Sequence, residues 1–144
     1  NEGESLVFFL YIPLICISTD IGGYLFGKIF KGPKLTKISP NKTYSGMLGG
    51  YLFSFTIIFL LFEYSELLFD TNTKWLPKVY FHIIIISTAS QIGDIIISYF
   101  KRLSKIKDTG KIIPGHGGIL DRIDGMIFAF PFAYIVYSLN ILEF

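Results

Sequence analysis

The sequence predicts an all-α fold, a polytopic membrane bundle of about four transmembrane helices. Three observations predict it. Hydrophobic residues make up 51% of the 144-residue chain and mean hydropathy is +0.55. The apolar residues lie in four long blocks, not on alternating faces. Basic residues crowd into two of the three connections. A helix needs about 20 consecutive apolar residues to cross the hydrocarbon. Lipid cannot satisfy free backbone groups, so spans without period-two alternation are helical.

The first block runs from Ser5 to Phe30; it is apolar to Ile17 and then carries Asp20 and Gly22, Gly23 and Gly27. The second runs from Gly46 to Phe69, the third from Trp75 to Phe100, and the fourth from Ile119 to Phe144. Residues 28–45 hold five lysines, residues 101–118 hold another five basic residues, and Arg122 follows. Only Lys74 and Lys78 fall in the second connection. Four antiparallel spans put the first and third connections on one side, and the positive-inside rule makes that side the cytoplasm. The expected location is the inner or plasma membrane. The chain begins at Asn1, and residues 1–144 are read as the C-terminal catalytic membrane domain of a longer protein whose upstream spans are missing.

Composition narrows the function classes. A single cysteine, Cys16, excludes a disulfide framework within the chain. There is no zinc-type cluster, and no motif points to nucleic acid.

Polar residues inside the apolar blocks carry the chemistry. Ser87, Gln91, Asp94, Ser98 and Lys101 are spaced four, three, four and three, which puts all five on one helical face. A carboxylate near a membrane helix centre costs about 2.5–3.5 kcal/mol, so Asp94 needs a cation or a donor. It either glues helices by pairing with a Lys or lines a wet, ligand-bearing groove. Asp20 is a second such acid, and Gly23 and Gly27 beside it form a small-xxx-small pair suited to close helix approach. Asp121 and Asp124 share a face at the start of the fourth block, after Pro114-Gly115-His116-Gly117-Gly118. Two acids at a helix start are favourable to the helix dipole on their own. Next to a glycine-rich turn they also suit a metal and phosphates. His116 in that turn is a candidate phosphate contact or general acid. His82 lies in an apolar stretch and reads as structural.

These residues also carry a family resemblance. Ser98, Lys101-Arg102, Lys107-Asp108, Gly110, Ile113-Pro114, His116-Gly117-Gly118-Ile119, Asp121-Arg122-Ile123-Asp124 resemble the signature of the phosphatidate cytidylyltransferase family. Asp20, Tyr24 and Gly27 resemble its Asp-x-x-x-Tyr-x-x-Gly segment. Ser39-Pro40-Asn41-Lys42-Thr43-Tyr44-Ser45-Gly46 resembles its Ser-Pro-Lys-Lys-Thr-Trp-Glu-Gly segment, departing at Asn41, Tyr44 and Ser45. Ser45 in place of Glu leaves no carboxylate there, while Lys42 and Thr43 keep the phosphate-binding reading.

The resemblance implies a nucleotidyltransferase that condenses CTP with phosphatidic acid to give CDP-diacylglycerol and pyrophosphate. It acts in the lipid bilayer, a homodimer being the candidate assembly. The nucleophile is already anionic, so neutralisation and alignment of two phosphates are the main task. Mg²⁺ is the expected cofactor, with or without a second cation. Asp94, Asp121, Asp124 and Asp20 are its expected ligands. Asp94 and Asp121 are expected to face one another and share one ion. Lys107 and His116 join the acids as catalytic candidates. Ser39, Lys42, Thr43, Ser98, Lys101, Arg102, Lys111, Gly117, Gly118 and Arg122 are the candidate substrate contacts. The rival readings are a related CTP-dependent lipid enzyme (polyprenol kinase or CDP-archaeol synthase-like), a cation channel or transporter subunit, and a catalytically dead remnant.

Overall fold

A computed structural model describes residues 2–37, 39, 41–69, 77–106 and 120–138; at 2–8, 65–69, 77–78, 120–122 and 137 it describes the backbone alone. Four helices follow in order: α1 (Glu2–Phe30), α2 (Tyr44–Phe69), α3 (Pro77–Leu103) and α4 (Leu120–Ser138). The apolar stretches Phe9–Phe30, Tyr44–Tyr64 and Val79–Leu103 are each long enough to cross a membrane, and Ile123–Val136 is a shorter apolar helix. The expected all-α membrane bundle is what the chain forms.

The helices pack as two pairs. α1 lies along α2 and α3 along α4, with thinner contact between pairs; among the described residues α2 and α4 do not meet. Backbone proximity closes the first pair. Gly22 of α1 sits on the Phe53 side chain and the Gly49 carbonyl of α2, and Gly49 in turn sits on Phe26. Any β-carbon at either glycine would occupy space those atoms hold, so small residues let the helices touch. The apolar centre consists of Ile12, Ile15, Cys16, Ile58, Ile83, Ile86, Ala129 and Ala133.

One layer of this core is polar. The Thr19, Ser54 and Ser87 hydroxyls meet in the middle of the bundle, with Thr19 Oγ1 2.8 Å and Ser54 Oγ 3.2 Å from Ser87 Oγ. Thr19 Oγ1 also lies 2.8 Å from the Ile15 carbonyl, to which it donates. A buried hydroxyl is costly unless paired, and here three helices pair theirs with one another. The five-residue polar face of α3 therefore does not line a groove along its whole length. Ser87 is fully buried in this knot. His82 is 1% exposed, in keeping with a structural role.

α1 and α3 end on lysines in the left-handed region, Lys31 (φ 44°) and Lys105 (φ 56°). At α3 the Ile106 N–H reaches the Lys101 carbonyl and the Lys105 N–H the Arg102 carbonyl, each at 3.0 Å. That pairing satisfies two orphan carbonyls of the last turn. The first connection doubles back on itself. Lys34 and Thr43 pair as an antiparallel bridge, Leu35 N–H donates to the Lys42 carbonyl at 2.7 Å, and Tyr44 N–H donates to the Pro33 carbonyl at 3.0 Å. This fold delivers Lys42 to the end of the bundle.

Candidate active site

At that end a cavity of about 230 Å³ opens among α1, α3, the start of α2 and the first connection. Thr19, Asp20, Tyr24, Asn41, Lys42, Thr43, Gln91 and Asp94 are among its lining residues. Lys42 Nζ forms an ion pair with Asp94 Oδ2, joining the first connection to α3 across 52 residues of sequence. Gln91, one turn below Asp94, donates to the Met47 carbonyl of α2 at 3.4 Å. Asp20 lies near enough to feel the charges of both Asp94 and Lys42.

α4 completes the cluster. The buried Asp124 carboxyl meets that of Asp94 directly. Lys101 Nζ stands 3.4 Å from Asp124 Oδ2, and the Gly125 N–H donates to Asp124 Oδ1 at 3.0 Å. Gly125 packs against Ser90 of α3, which is how α4 comes close enough for the two acids to touch. The result is a line of charge drawn from three elements, two adjacent acids, Asp94 and Asp124, flanked by Lys42 and Lys101.

Of the residues expected from sequence, the structure gathers Asp20, Lys42, Asp94, Lys101 and Asp124. Thr43 also lines the cavity, but its hydroxyl caps α2: Gly46 N–H donates to Thr43 Oγ1 at 3.1 Å. Ser45 is occupied too, accepting the Gly32 N–H at 3.2 Å. Ser39 stays in the turn, where its carbonyl accepts the Lys42 N–H, and does not line the cavity. Ser98 is half-buried and Arg102 exposed. Asp121 and Arg122 lie in the first turn of α4, where the backbone alone is described, so the expected meeting of Asp94 with Asp121 falls outside the described side chains. Lys107, Lys111, His116, Gly117 and Gly118 lie outside the described residues.

The capping role of Thr43 gives a direct expectation. Thr43→Val should lower stability by about 1 kcal/mol in thermal unfolding, the usual cost of an N-cap, and Thr43→Ser should not. Equal stability of the two variants would remove the cap from the account.

Both readings of Asp94 meet in this geometry, because its cation is the very lysine expected to hold phosphate. Among the described residues no three His, Cys, Asp or Glu side chains converge as a metal-ligand set. The Asp94 and Asp124 pair still fits Mg²⁺, which is commonly held by one or two carboxylates together with substrate phosphates. Two acids in contact need a cation between or beside them, and the lysines at either end supply that charge here.

A model of the cytidylyltransferase family matches residues 1–140. The chain belongs to that family. Among the relatives of this chain, the phosphatidate cytidylyltransferase of Staphylococcus aureus (strain COL) is 42% identical over 137 residues, covering 94% of this chain and 51% of the relative. That of Rickettsia typhi (strain ATCC VR-144 / Wilmington) is 41% identical over 144 residues, covering 98% of this chain and 61% of the relative. The chain thus spans about half the length of the staphylococcal relative.

Sequence reasoning did not place Tyr24, Asn41 or Leu35 at the cavity. Tyr24 had a usable signal: it lies one turn beyond Asp20 on α1. Asn41 and Leu35 reach the cavity only because the connection doubles back, which no local pattern announces.

A second hollow of about 250 Å³ lies between α3 and α4, lined by Ile84, Ile85, Thr88, Ala89, Ile92, Phe128 and Phe132. It carries no charged side chain, and the Thr88 hydroxyl is taken up by Tyr51 at 2.8 Å.

Proposed function

We propose that this chain is the catalytic C-terminal part of a phosphatidate cytidylyltransferase, joining CTP to phosphatidic acid to give CDP-diacylglycerol and pyrophosphate. The observation that carries the reading is the line Lys42, Asp94, Asp124, Lys101 at one end of a membrane bundle. The names of the relatives, about 40% identical, support it.

A phosphate oxygen of phosphatidic acid forms a bond to the α-phosphorus of CTP while the bond to the β-phosphate oxygen breaks, and pyrophosphate leaves with that electron pair. No proton need be removed from an anionic phosphate, so the site's task is charge. Lys42 and Lys101 flank the acids and bring positive charge to converging anions, in a setting where fixed charges act more strongly than in water. Asp94 and Asp124 would hold Mg²⁺, which when bound would supply positive charge to the phosphates. Thr43 positions Lys42 by anchoring the start of α2. Asp121, Arg122, Lys107, Lys111 and His116 are proposed to contribute from the third connection and the first turn of α4.

The site is proposed to face the cytoplasm, where CTP is found, on the strength of the basic bias of the first and third connections. The acyl chains would remain in the bilayer against α3 and α4. A channel reading fares poorly. Below the acids the interior is filled by the hydroxyl knot and by Ile15, Ile58, Ile83 and Ile86, each at most 1% exposed. The deciding experiment supplies full-length protein in detergent with labelled CTP, Mg²⁺ and either phosphatidic acid or a polyprenol. Label should appear in CDP-diacylglycerol. Transfer to the polyprenol alone, or none to either lipid, would overturn the proposal.

A further inference from the structure

The cavity changes character along its depth. Its inner wall is Thr19, Gln91 and Asp94, all from helices. Its mouth is Tyr24, Leu35 and Asn41, at the end of α1 and in the first connection. Lys42 stands between the two, fastened to Asp94.

The mouth is built unlike a phosphate site. Tyr24 is 66% exposed and lines the cavity. Lys28 Nζ sits 5.6 Å from the centre of that ring. Tyr24 lines the cavity and Lys28 does not, so the cation beside the ring stands outside the cavity. Asn41 is exposed, and among the described residues its carboxamide has no partner. A carboxamide offers one acceptor and two donors. A flat ring face, an aliphatic neighbour in Leu35 and a free donor-acceptor pair are what a nucleobase requires. Bases stack on aromatic rings and pair through their edges with amide side chains.

We propose that the mouth of this cavity is the nucleobase pocket, with Tyr24 as the stacking platform and the Asn41 carboxamide reading the hydrogen-bonding edge of cytosine. This rests on the reading that CTP is the nucleotide donor. The base lies outermost, and the phosphates point inward past Lys42 toward Asp94 and Asp124. Size agrees: about 230 Å³, against about 30 Å³ per liquid water, accommodates a ring and its sugar while the triphosphate extends to the charged line. Entry agrees as well, since the mouth opens beside a lysine-rich connection and not between apolar helix faces. The α3–α4 hollow, with no charged residue, is the one suited to acyl chains.

The test uses full-length protein in detergent micelles with CTP, UTP and phosphatidic acid. Tyr24→Leu should raise KM for CTP about tenfold, the order expected for one lost stacking contact, with KM for phosphatidic acid unchanged. Tyr24→Phe, which keeps the ring, should behave as the unaltered protein. Asn41→Leu should lower the ratio of kcat/KM for CTP over UTP about tenfold. Both positions are exposed, so correct assembly can be checked by unchanged thermal unfolding. A rise in KM for phosphatidic acid with none for CTP would assign the cavity to the lipid and overturn the proposal. So would Tyr24→Leu and Asn41→Leu variants with unaltered constants. If the unaltered protein uses neither nucleotide, the donor reading itself fails, a separate result.

Discussion

Asp94→Asn should lower the proposed CDP-diacylglycerol-forming activity by about 10²–10³-fold, the range seen when one preorganised electrostatic group is removed from an active site. Asp94 sits where three influences meet. It pairs with Lys42, touches Asp124 and lies in the field of Asp20. Asn is nearly isosteric and still accepts a hydrogen bond from Lys42, so shape is kept while charge is lost. A membrane helix without that carboxylate inserts more readily, so expression should not fall. The measurement is the initial rate at saturating CTP and Mg²⁺ alongside thermal unfolding in the same detergent. A folded Asp94→Asn protein with near-normal turnover would reduce the residue to a tie between α3 and the first connection.

Gly49→Leu should prevent recovery of folded, monodisperse protein, and Gly49→Ala should cost about 1–3 kcal/mol, the usual range for overpacking. The obstruction at Gly49 is the Phe26 side chain at its root, including Cβ, which rotation about χ1 cannot move. α1 or α2 must shift instead; Asp20 rides on α1, and Lys42 lies in the connection just ahead of α2. An internal control lies close by. A β-carbon at Gly23 would meet only the Gly46 carbonyl oxygen, at 3.5 Å, an ordinary contact. Gly23→Ala should therefore be nearly neutral in the same unfolding assay. Equal losses at positions 23 and 49 would show that lower helix flexibility, not backbone proximity, governs the seam.

Much of this architecture was legible because lipid leaves few choices. An uninterrupted apolar block of this length must be a helix, and an acid within one must find a partner. That argument led to Asp20, Asp94 and Asp124 without any knowledge of packing. Among acids one turn apart it favoured Asp121 as the partner of Asp94, and the Asp121 side chain lies outside those described. Asp121 and Asp124 share a face, and it is Asp124, next to the close contact of Gly125 with Ser90, whose described side chain meets Asp94. Nor could it divide the α3 stripe, since Ser87 and Asp94 follow the same periodicity. Ser87 is a structural hydroxyl because Thr19 and Ser54 arrive beside it. Lys42 was expected at phosphate from the local motif. Its pairing with Asp94 depends on a connection that folds back through an isolated bridge, a long-range event with no periodic trace.

The pairing of α1 with α2 and of α3 with α4 carries a consequence for biogenesis. The chain emerges from the ribosome N-terminus first, so the glycine seam can close while the second half is still being made. At that stage Asp20 and Lys42 are present, but Asp94, Lys101 and Asp124 are not. The charged line is created late, when the second hairpin docks, so an incompletely inserted chain holds no competent site. On the proposed function, catalytic ability would be a property of finished assembly, since the charged line needs both helix pairs.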